Sequence, residues 1–182
     1  MKAFIFDMDG VIVDSEPIHS RTKMETFRHY GIHFAEEELV HYMGRTTADL
    51  FRAAIEAQPR EGLDITEMIA YKHRLYLDIL RHDTAVQPVA GIRELFAALQ
   101  QAEIPMALAS SAGQAVIDAV LEAFDLRRCF QSVLSGADLP KSKPDPAVYL
   151  LSAERLGIAP ADCVVLEDAA SGVAAAKAAG MY

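Results

Sequence analysis

Short apolar runs along the chain alternate with segments in which apolar residues recur three and four positions apart. Four of these runs have the length and composition of strands buried on both faces, at residues 2–6, 104–109, 130–134 and 163–166. The segments between them are typical of amphipathic helices. Strands that alternate with helices predict an α/β fold with a Rossmann-like parallel sheet core and helices on both faces.

The stretch from residue 15 to residue 83 interrupts this alternation. Its apolar spacing is helical throughout, and no run in it is typical of a strand. A long helical segment that leaves the sheet after the first strand and returns to it predicts an inserted helical cap domain. The predicted domains are therefore a core of residues 1–14 and 84–182 and a cap of residues 15–83.

The last predicted helix closes at Gly180, two residues before the sequence ends at Tyr182. In a series of alternating strands and helices, such a helix is followed by another strand. We therefore expect the natural chain to continue beyond Tyr182, and the predicted core to lack its C-terminal strands.

Composition narrows the classes of function. The chain has 182 residues and a formal net charge of −9, which excludes nucleic acid as a partner because nucleic-acid binding depends on clustered Lys and Arg. No apolar stretch is long enough for a membrane span, and the apolar run at the N-terminus is too short for a secretory signal. We therefore expect a cytoplasmic protein with no membrane partner.

Cys129 and Cys163 are expected to be buried thiols without a functional role.

Acidic residues follow the first and the last predicted strands. Asp7 and Asp9 come directly after the first strand with Met8 between them, so their side chains are expected to point to the same side. Glu167 and Asp168 come directly after the last strand. Two carboxylates placed together repel each other unless a cation lies between them. A turn or a helix cap is the alternative explanation for either pair.

A hydroxyl and an ammonium group follow the two strands between these acids. Ser110 comes after the second predicted strand and Lys143 after the third, although a helix cap and a solvated loop lysine are the alternative explanations. Ligands bind at the carboxyl ends of the strands in open α/β sheets, so all these side chains are expected at one edge. Acidic oxygens suit Mg²⁺, whereas Ser110 and Lys143 suit phosphoryl oxygens. A carboxylate can also attack phosphorus to form an aspartyl-phosphate.

Four motifs resemble, in order and spacing, those of the haloacid dehalogenase superfamily: Asp7-Met8-Asp9-Gly10-Val11, Ser110 after Ala107-Leu108-Ala109, Lys143-Pro144, and Glu167-Asp168. The early helical cap and the segment Asp14-Ser15-Glu16-Pro17 are similar to its β-phosphoglucomutase-like branch of sugar-phosphate phosphatases and mutases. The resemblance covers essentially the whole chain. Dehalogenating members lack an acid/base carboxylate at the position of Asp9, so its presence favours phosphoryl transfer.

The resemblance implies a role for each motif residue. Asp7 would be the nucleophile, and Asp9 the general acid and base. Mg²⁺ would be held by Asp7, the backbone carbonyl of Asp9 and Asp168, with Glu167 nearby. The phosphoryl group would be bound by Ser110 and Lys143.

The resemblance also implies substrate contacts in the cap. Lys72 and His19 match a lysine and a histidine of the mutase, although a buried lysine stem and a surface histidine are equally simple explanations. The segment at residues 44–47 is similar to the substrate-specificity loop of the cap. The mutase has an Arg at the position of Thr47, whereas this chain has Arg45 two residues earlier. Because a mutase must bind a second phosphate, this departure weakens the mutase hypothesis.

The motifs together predict a Mg²⁺-dependent phosphatase that hydrolyses small phosphomonoesters, in particular phosphosugars, through an aspartyl-phosphate. The nearest alternative is a β-phosphoglucomutase that interconverts β-glucose 1-phosphate and glucose 6-phosphate. A non-catalytic phospho-acceptor switch and a catalytically silent relative are alternatives from other classes. The expected partner is a small phosphorylated metabolite, and the expected oligomeric state is a monomer or a weak dimer.

Overall fold

The computed structural model describes residues 1–42, 46–60, 62–83 and 86–182. The strands in these residues form one parallel sheet in the order β3-β2-β1-β4. They are β1 (Ala3–Phe6), β2 (Met106–Ser110), β3 (Ser132–Ser135) and β4 (Cys163–Leu166). Each predicted run overlaps one of these strands, so the prediction of a parallel α/β sheet is confirmed.

Helices connect the strands. The α-helices in the described residues are α1 (Glu16–His29), α2 (Thr47–Ala57), α3 (Ile65–His82), α4 (Ile92–Gln101), α5 (Gln114–Ala123), α6 (Ala147–Leu156) and α7 (Ala170–Ala178). Short 3-10 helices span Glu36–Tyr42, Arg127–Cys129, Gly136–Asp138 and Pro160–Asp162. No helix in the described part of the chain is long and apolar enough to cross a membrane.

The chain divides into two compact units. The sheet unit comprises Met1–Ser15 and Thr84–Tyr182, and the helical unit comprises Glu16–Asp83. These bounds differ by one residue from the predicted core and cap. In the described residues of the helical unit the regular elements are α1, α2, α3 and a 3-10 helix.

Both faces of the sheet are covered by helices. Ile5 points to one face, where it packs in a buried cluster with Tyr149 of α6 and Ala175 of α7. Phe6 points to the other face, where its ring meets that of Phe96 of α4 edge to face with centroids 5.0 Å apart. Neighbouring residues of one strand therefore lie in different halves of the core, which explains why β1 has no polar position.

The carboxyl ends of β1, β2 and β4 lie side by side. Phe6 pairs with Leu108 of β2 and with Leu166 of β4, so Asp7 and Glu167 are the next residues along their strands. The Asp7 N–H donates to the Leu166 carbonyl at 3.0 Å and extends this pairing by one residue. The register thus brings residues that are far apart in sequence to one edge of the sheet.

The helical unit has an apolar core of its own. Phe27 of α1 stacks on Phe34 with ring centroids 4.6 Å apart and meets Phe51 of α2 edge to face at 5.3 Å. Met68 of α3 is fully buried in the same cluster. The helical spacing of apolar residues between positions 15 and 83 therefore reflects the packing of these helices on one another.

Candidate active site

Asp7 is the first residue beyond β1, and 8% of its side chain is exposed. Lys143 donates to Asp7 Oδ1 over 2.6 Å. Burial raises the pKa of Asp7 to about 7; Lys143 opposes this shift, and the charges of Glu167 and Asp9 add to it. Without a further cation, Asp7 therefore holds a proton for part of the time at neutral pH.

Lys143 lies between two carboxylates. Its Nζ donates to Asp7 Oδ1 at 2.6 Å, to Glu167 Oε2 at 2.7 Å and to the Ala109 carbonyl at 3.2 Å. An ammonium group has three N–H bonds, so all of them have an acceptor. Because 7% of the side chain is exposed, the two ion pairs are largely shielded from water.

Three carboxylates converge at this edge of the sheet. Asp7, Glu167 and Asp168 each offer an oxygen, and these oxygens lie within 4.8 Å of one another. With Lys143 as the nearby cation, three ionised carboxylates leave an excess of two negative charges. Carboxylate oxygens are the ligands that Mg²⁺ prefers, so both the donor set and the local charge fit a divalent ion of this kind.

Gly10 makes room for Asp168. Its backbone has a φ of +73°, a left-handed conformation that side chains other than that of glycine rarely adopt. A Cβ atom added at this position would lie 2.5 Å from Asp168 Cγ and closer still to the carboxylate. The Gly in the first motif is thus required by two independent features of the site.

Glu167 is held by neighbours from two helical segments. The Tyr149 hydroxyl of α6 donates to Oε2, the oxygen that also accepts from Lys143. The Ala169 N–H donates to Oε1 at 3.3 Å. Burial and the Glu167 carboxylate raise the pKa of Tyr149 above its ordinary value, so the hydroxyl keeps its proton and acts as the donor.

Ser110 is the last residue of β2 and is fully buried. Its hydroxyl oxygen accepts from the Ala112 N–H at 3.0 Å, and the Ser135 hydroxyl donates to the Ala112 carbonyl at 2.9 Å. The N-cap of α5 is Gly113, so Ser110 stabilises a turn and does not cap this helix. Its role toward a phosphoryl group stays a prediction, as do the roles of the other motif residues.

The helical unit brings together two of the three predicted substrate residues. His19 Nδ1 lies 2.9 Å from Lys72 Nζ, and the His19 ring stacks on Tyr76 with centroids 4.7 Å apart. Lys72 is 4% exposed. Because a charged lysine can only donate, Nδ1 is then the acceptor. The third predicted residue, Arg45, lies outside the described residues.

Tyr149 and Gly172 are not among the residues predicted from the sequence, although both lie against Glu167. One signal for Tyr149 is present, because a tyrosine among the apolar residues of a helix needs a partner for its hydroxyl. Gly172 has no such signal, since a glycine close to a helix start is common.

The whole chain is similar to proteins that transfer or bind phosphate. A family model described as haloacid dehalogenase-like hydrolase matches residues 4–182. Hexitol phosphatase B of Escherichia coli strain K12 is 33% identical over 180 residues, which cover 98% of this chain and 80% of that protein. The β-phosphoglucomutase of Bacillus subtilis strain 168 is 30% identical over 186 residues, which cover 100% and 81%. The crystal structure of CbbY from Rhodobacter sphaeroides in complex with phosphate has a TM-score of 0.83 at 26% identity, covering 100% of this chain and 84% of that one.

Proposed function

Because the chain belongs to the haloacid dehalogenase-like hydrolase family, in its β-phosphoglucomutase-like branch, we propose that it is a Mg²⁺-dependent phosphatase of small phosphosugars. The observation that carries the proposal is the position of Lys143, which bridges the buried Asp7 and Glu167 beside Asp168. A nucleophilic carboxylate, a compact cation and a cluster of hard oxygen ligands are the groups that phosphoryl transfer requires.

In the proposed first step, a carboxylate oxygen of Asp7 attacks the phosphorus of the substrate and forms an aspartyl-phosphate. The bond between phosphorus and the sugar oxygen breaks, and Asp9 gives its proton to that oxygen, so the sugar leaves as an alcohol. Lys143 lies 2.6 Å from Asp7 Oδ1 and stabilises the negative charge that gathers around phosphorus.

In the proposed second step, a water molecule attacks the phosphorus of the aspartyl-phosphate. Asp9 takes a proton from this water, the bond between phosphorus and Asp7 breaks, and inorganic phosphate leaves. Asp9 is then protonated again, as it was at the start. Ser110, at the end of the neighbouring strand β2, donates its hydroxyl to a phosphoryl oxygen in this proposal.

The proposed ligands of Mg²⁺ are Asp7, Asp168 and the backbone carbonyl of Asp9, with Glu167 nearby. When bound, the ion supplies positive charge for the phosphoryl oxygens. With the ion held there, the raised pKa that burial gives Asp7 would fall, because a nearby cation favours the carboxylate.

Hydrolysis is favoured over mutase activity by the start of α2. A mutase must bind a second phosphate, and Thr47, the first residue of α2, offers only a hydroxyl where the resemblance places an Arg. A relative that acts as a hexitol phosphatase supports a phosphorylated sugar or sugar alcohol as the substrate. We propose that His19, Arg45 and Lys72 select it.

The experiment that tests this function follows inorganic phosphate and glucose 6-phosphate together during incubation with Mg²⁺. The substrates are β-glucose 1-phosphate and a panel of hexose and hexitol phosphates. Asp7→Asn removes the proposed nucleophile, and Asp118→Asn, the same change at an exposed carboxylate of α5, is the matched control.

Release of phosphate from at least one ester, lost in Asp7→Asn and kept in Asp118→Asn, is the expected result. Formation of glucose 6-phosphate with little free phosphate would replace this function by that of a β-phosphoglucomutase. If the folded protein binds Mg²⁺ but converts no ester, the phospho-acceptor switch becomes the better hypothesis.

A further inference from the structure

The side chain of Glu167 is buried and accepts hydrogen bonds from several neighbours, whereas an acid at the end of a strand commonly faces solvent. It is 4% exposed, and its two oxygens accept hydrogen bonds from Lys143, Tyr149 and the Ala169 backbone. Two of these donors share the single oxygen Oε2. The Glu167 side chain therefore has one conformation in which it accepts all three hydrogen bonds at once.

Tyr149 contributes twice to this position. It is fully buried on α6, and its hydroxyl donates to Glu167 Oε2. Its ring also lies beneath Lys143, with Nζ 4.8 Å from the ring centroid. A tyrosine thus contacts both members of the ion pair, whereas a phenylalanine would contact only the lysine.

Gly172 contributes space. It lies in the first turn of α7, where an alanine would favour the helix. A Cβ atom at this position would lie 2.5 Å from Glu167 Cγ and would overlap the carboxylate. Carbon atoms of neighbouring groups normally stay about 3.5 Å or more apart, so the Glu167 side chain would have to leave its place.

We propose that Tyr149 and Gly172 are positioning residues that hold Glu167 as the counter-ion of Lys143 and so keep Lys143 against Asp7. Tyr149 supplies a hydrogen bond and Gly172 supplies room. Neither residue is proposed to touch the substrate. The effect on turnover rests on the proposed function, whereas the coupling of the two residues to Glu167 does not.

The test is a set of double-mutant cycles. Tyr149→Phe and Gly172→Ala are each made in the wild-type chain and in a Glu167→Ala chain. The readouts are the thermal unfolding midpoint of the metal-free protein, the Mg²⁺ dissociation constant from calorimetry, and kcat and KM on the preferred ester. Matched controls are Tyr182→Phe, at an exposed residue, and Gly113→Ala, at a position where an added Cβ meets nothing within 4 Å.

In the wild-type chain, we expect Tyr149→Phe and Gly172→Ala each to lower the metal-free midpoint by about 3 °C or more. We expect kcat to fall about tenfold with a smaller change in KM, because Lys143 is misplaced.

In the Glu167→Ala chain, we expect that neither substitution lowers the thermal unfolding midpoint, and that each leaves it unchanged or raises it. Tyr149→Phe then removes a hydroxyl that has lost its acceptor, and Gly172→Ala adds a methyl group where no carboxylate stands in its way. Both substitutions therefore become neutral or stabilising in this background.

Equal losses of the midpoint in both backgrounds would overturn the proposal, since the two residues would then act independently of Glu167. Unchanged midpoints in the wild-type chain would overturn it as well. A third outcome separates the two proposals. If the protein hydrolyses no ester, but Tyr149→Phe and Gly172→Ala still lower the unfolding midpoint only when Glu167 is present, the proposed function is disproved and the positioning roles stand.

Discussion

Each unit of the chain buries a lysine, and the surroundings of the two lysines differ. Lys143 of the sheet unit donates to two carboxylates and a carbonyl, and 7% of its side chain is exposed. Lys72 of the helical unit is 4% exposed, with its Nζ 2.9 Å from His19 Nδ1 and 5.3 Å from the centroid of the Tyr76 ring. Burial alone therefore does not determine which groups a lysine ammonium contacts. Among the described contacts, Lys143 lies against carboxylates, whereas Lys72 lies against an imidazole and a phenol ring.

The difference has its origin in the two architectures. Parallel strands end at one edge, so the residues that follow them meet regardless of their separation in sequence. Helices that pack side by side bring together residues on their facing sides, as for His19 of α1 and Lys72 of α3. The first arrangement brings together residues that follow different strands, whereas the second brings together residues on the facing sides of two helices.

The largest expected effect comes from removal of the lysine in the sheet unit. Lys143→Met leaves Asp7 and Glu167 facing each other without their common cation. We expect the free energy of unfolding at pH 7.5 to fall by about 3–5 kcal/mol and kcat to fall about 10³-fold. Urea unfolding and initial rates measure these changes. Lys141→Met, at a side chain that is 78% exposed, is the control and should change neither quantity.

The next effect is a pH dependence of the metal-free protein. The pKa of Asp7 is about 7 in the folded chain against an ordinary value of 3.8, so the folded state binds this proton more tightly than the unfolded state. As pH rises from about 4 to about 7, Asp7 should therefore lower the free energy of unfolding by about 3 kcal/mol.

Urea unfolding in EDTA between pH 4.5 and pH 8, with Asp7→Asn for comparison, measures this slope. The variant should lack it. If Mg²⁺ binds Asp7 as proposed, it competes with the proton there, so its stabilising effect should be larger at pH 7.5 than at pH 5. An effect of Mg²⁺ that is independent of pH would contradict the assignment of Asp7 as a ligand.

A smaller effect is expected from Gly10→Ala, for which the chain offers a close control in Gly91→Ala. Both glycines have positive φ values, +73° and +86°, so both substitutions should cost about 1–2 kcal/mol of stability. An added Cβ approaches Asp168 at Gly10 and meets nothing within 4 Å at Gly91. Calorimetry should therefore show a Mg²⁺ affinity at least about tenfold lower for Gly10→Ala alone. Equal affinities in the two variants would contradict a role of Asp168 in metal binding.

The smallest effect is expected from removal of the lysine in the helical unit. Lys72→Met keeps the stem of the side chain, so we expect the free energy of unfolding to change by at most about 1 kcal/mol. If Lys72 binds the substrate, KM should rise about tenfold with a smaller change in kcat. Lys23→Met on α1 is the control, and an unchanged KM in Lys72→Met would remove Lys72 from the proposed substrate site.

Most of the sheet unit could be predicted from the sequence because its strands are buried on both faces. The runs at β1 and β4 are almost wholly apolar, and the acids that follow them mark the edge where they end. Since a parallel sheet aligns such edges, the meeting of Asp7, Lys143 and Asp168 follows from the order of elements. The family resemblance then assigned roles that the order alone leaves open.

The remaining features depend on distances between side chains that periodicity does not encode. Tyr149 occupies an apolar position on α6, and only the structure shows that its hydroxyl reaches Glu167. Gly172 is one of several small residues near the start of α7. Only the position of the Glu167 side chain shows that a larger residue would not fit there. Ser110, in turn, stabilises a turn where a helix cap was the simpler explanation.

The three hydrogen bonds of Lys143 have a consequence for selectivity. Every N–H of the ammonium group is already engaged, so an incoming oxygen reaches it only by exchange with a present acceptor. The hydrogen bond to the Ala109 carbonyl is the easiest of the three to exchange. It is 3.2 Å long, and its acceptor carries no full charge. A neutral sugar hydroxyl gains little in such an exchange, whereas a phosphate dianion gains the attraction of a full charge. If Lys143 binds the phosphoryl group as proposed, it therefore selects ligands by their charge.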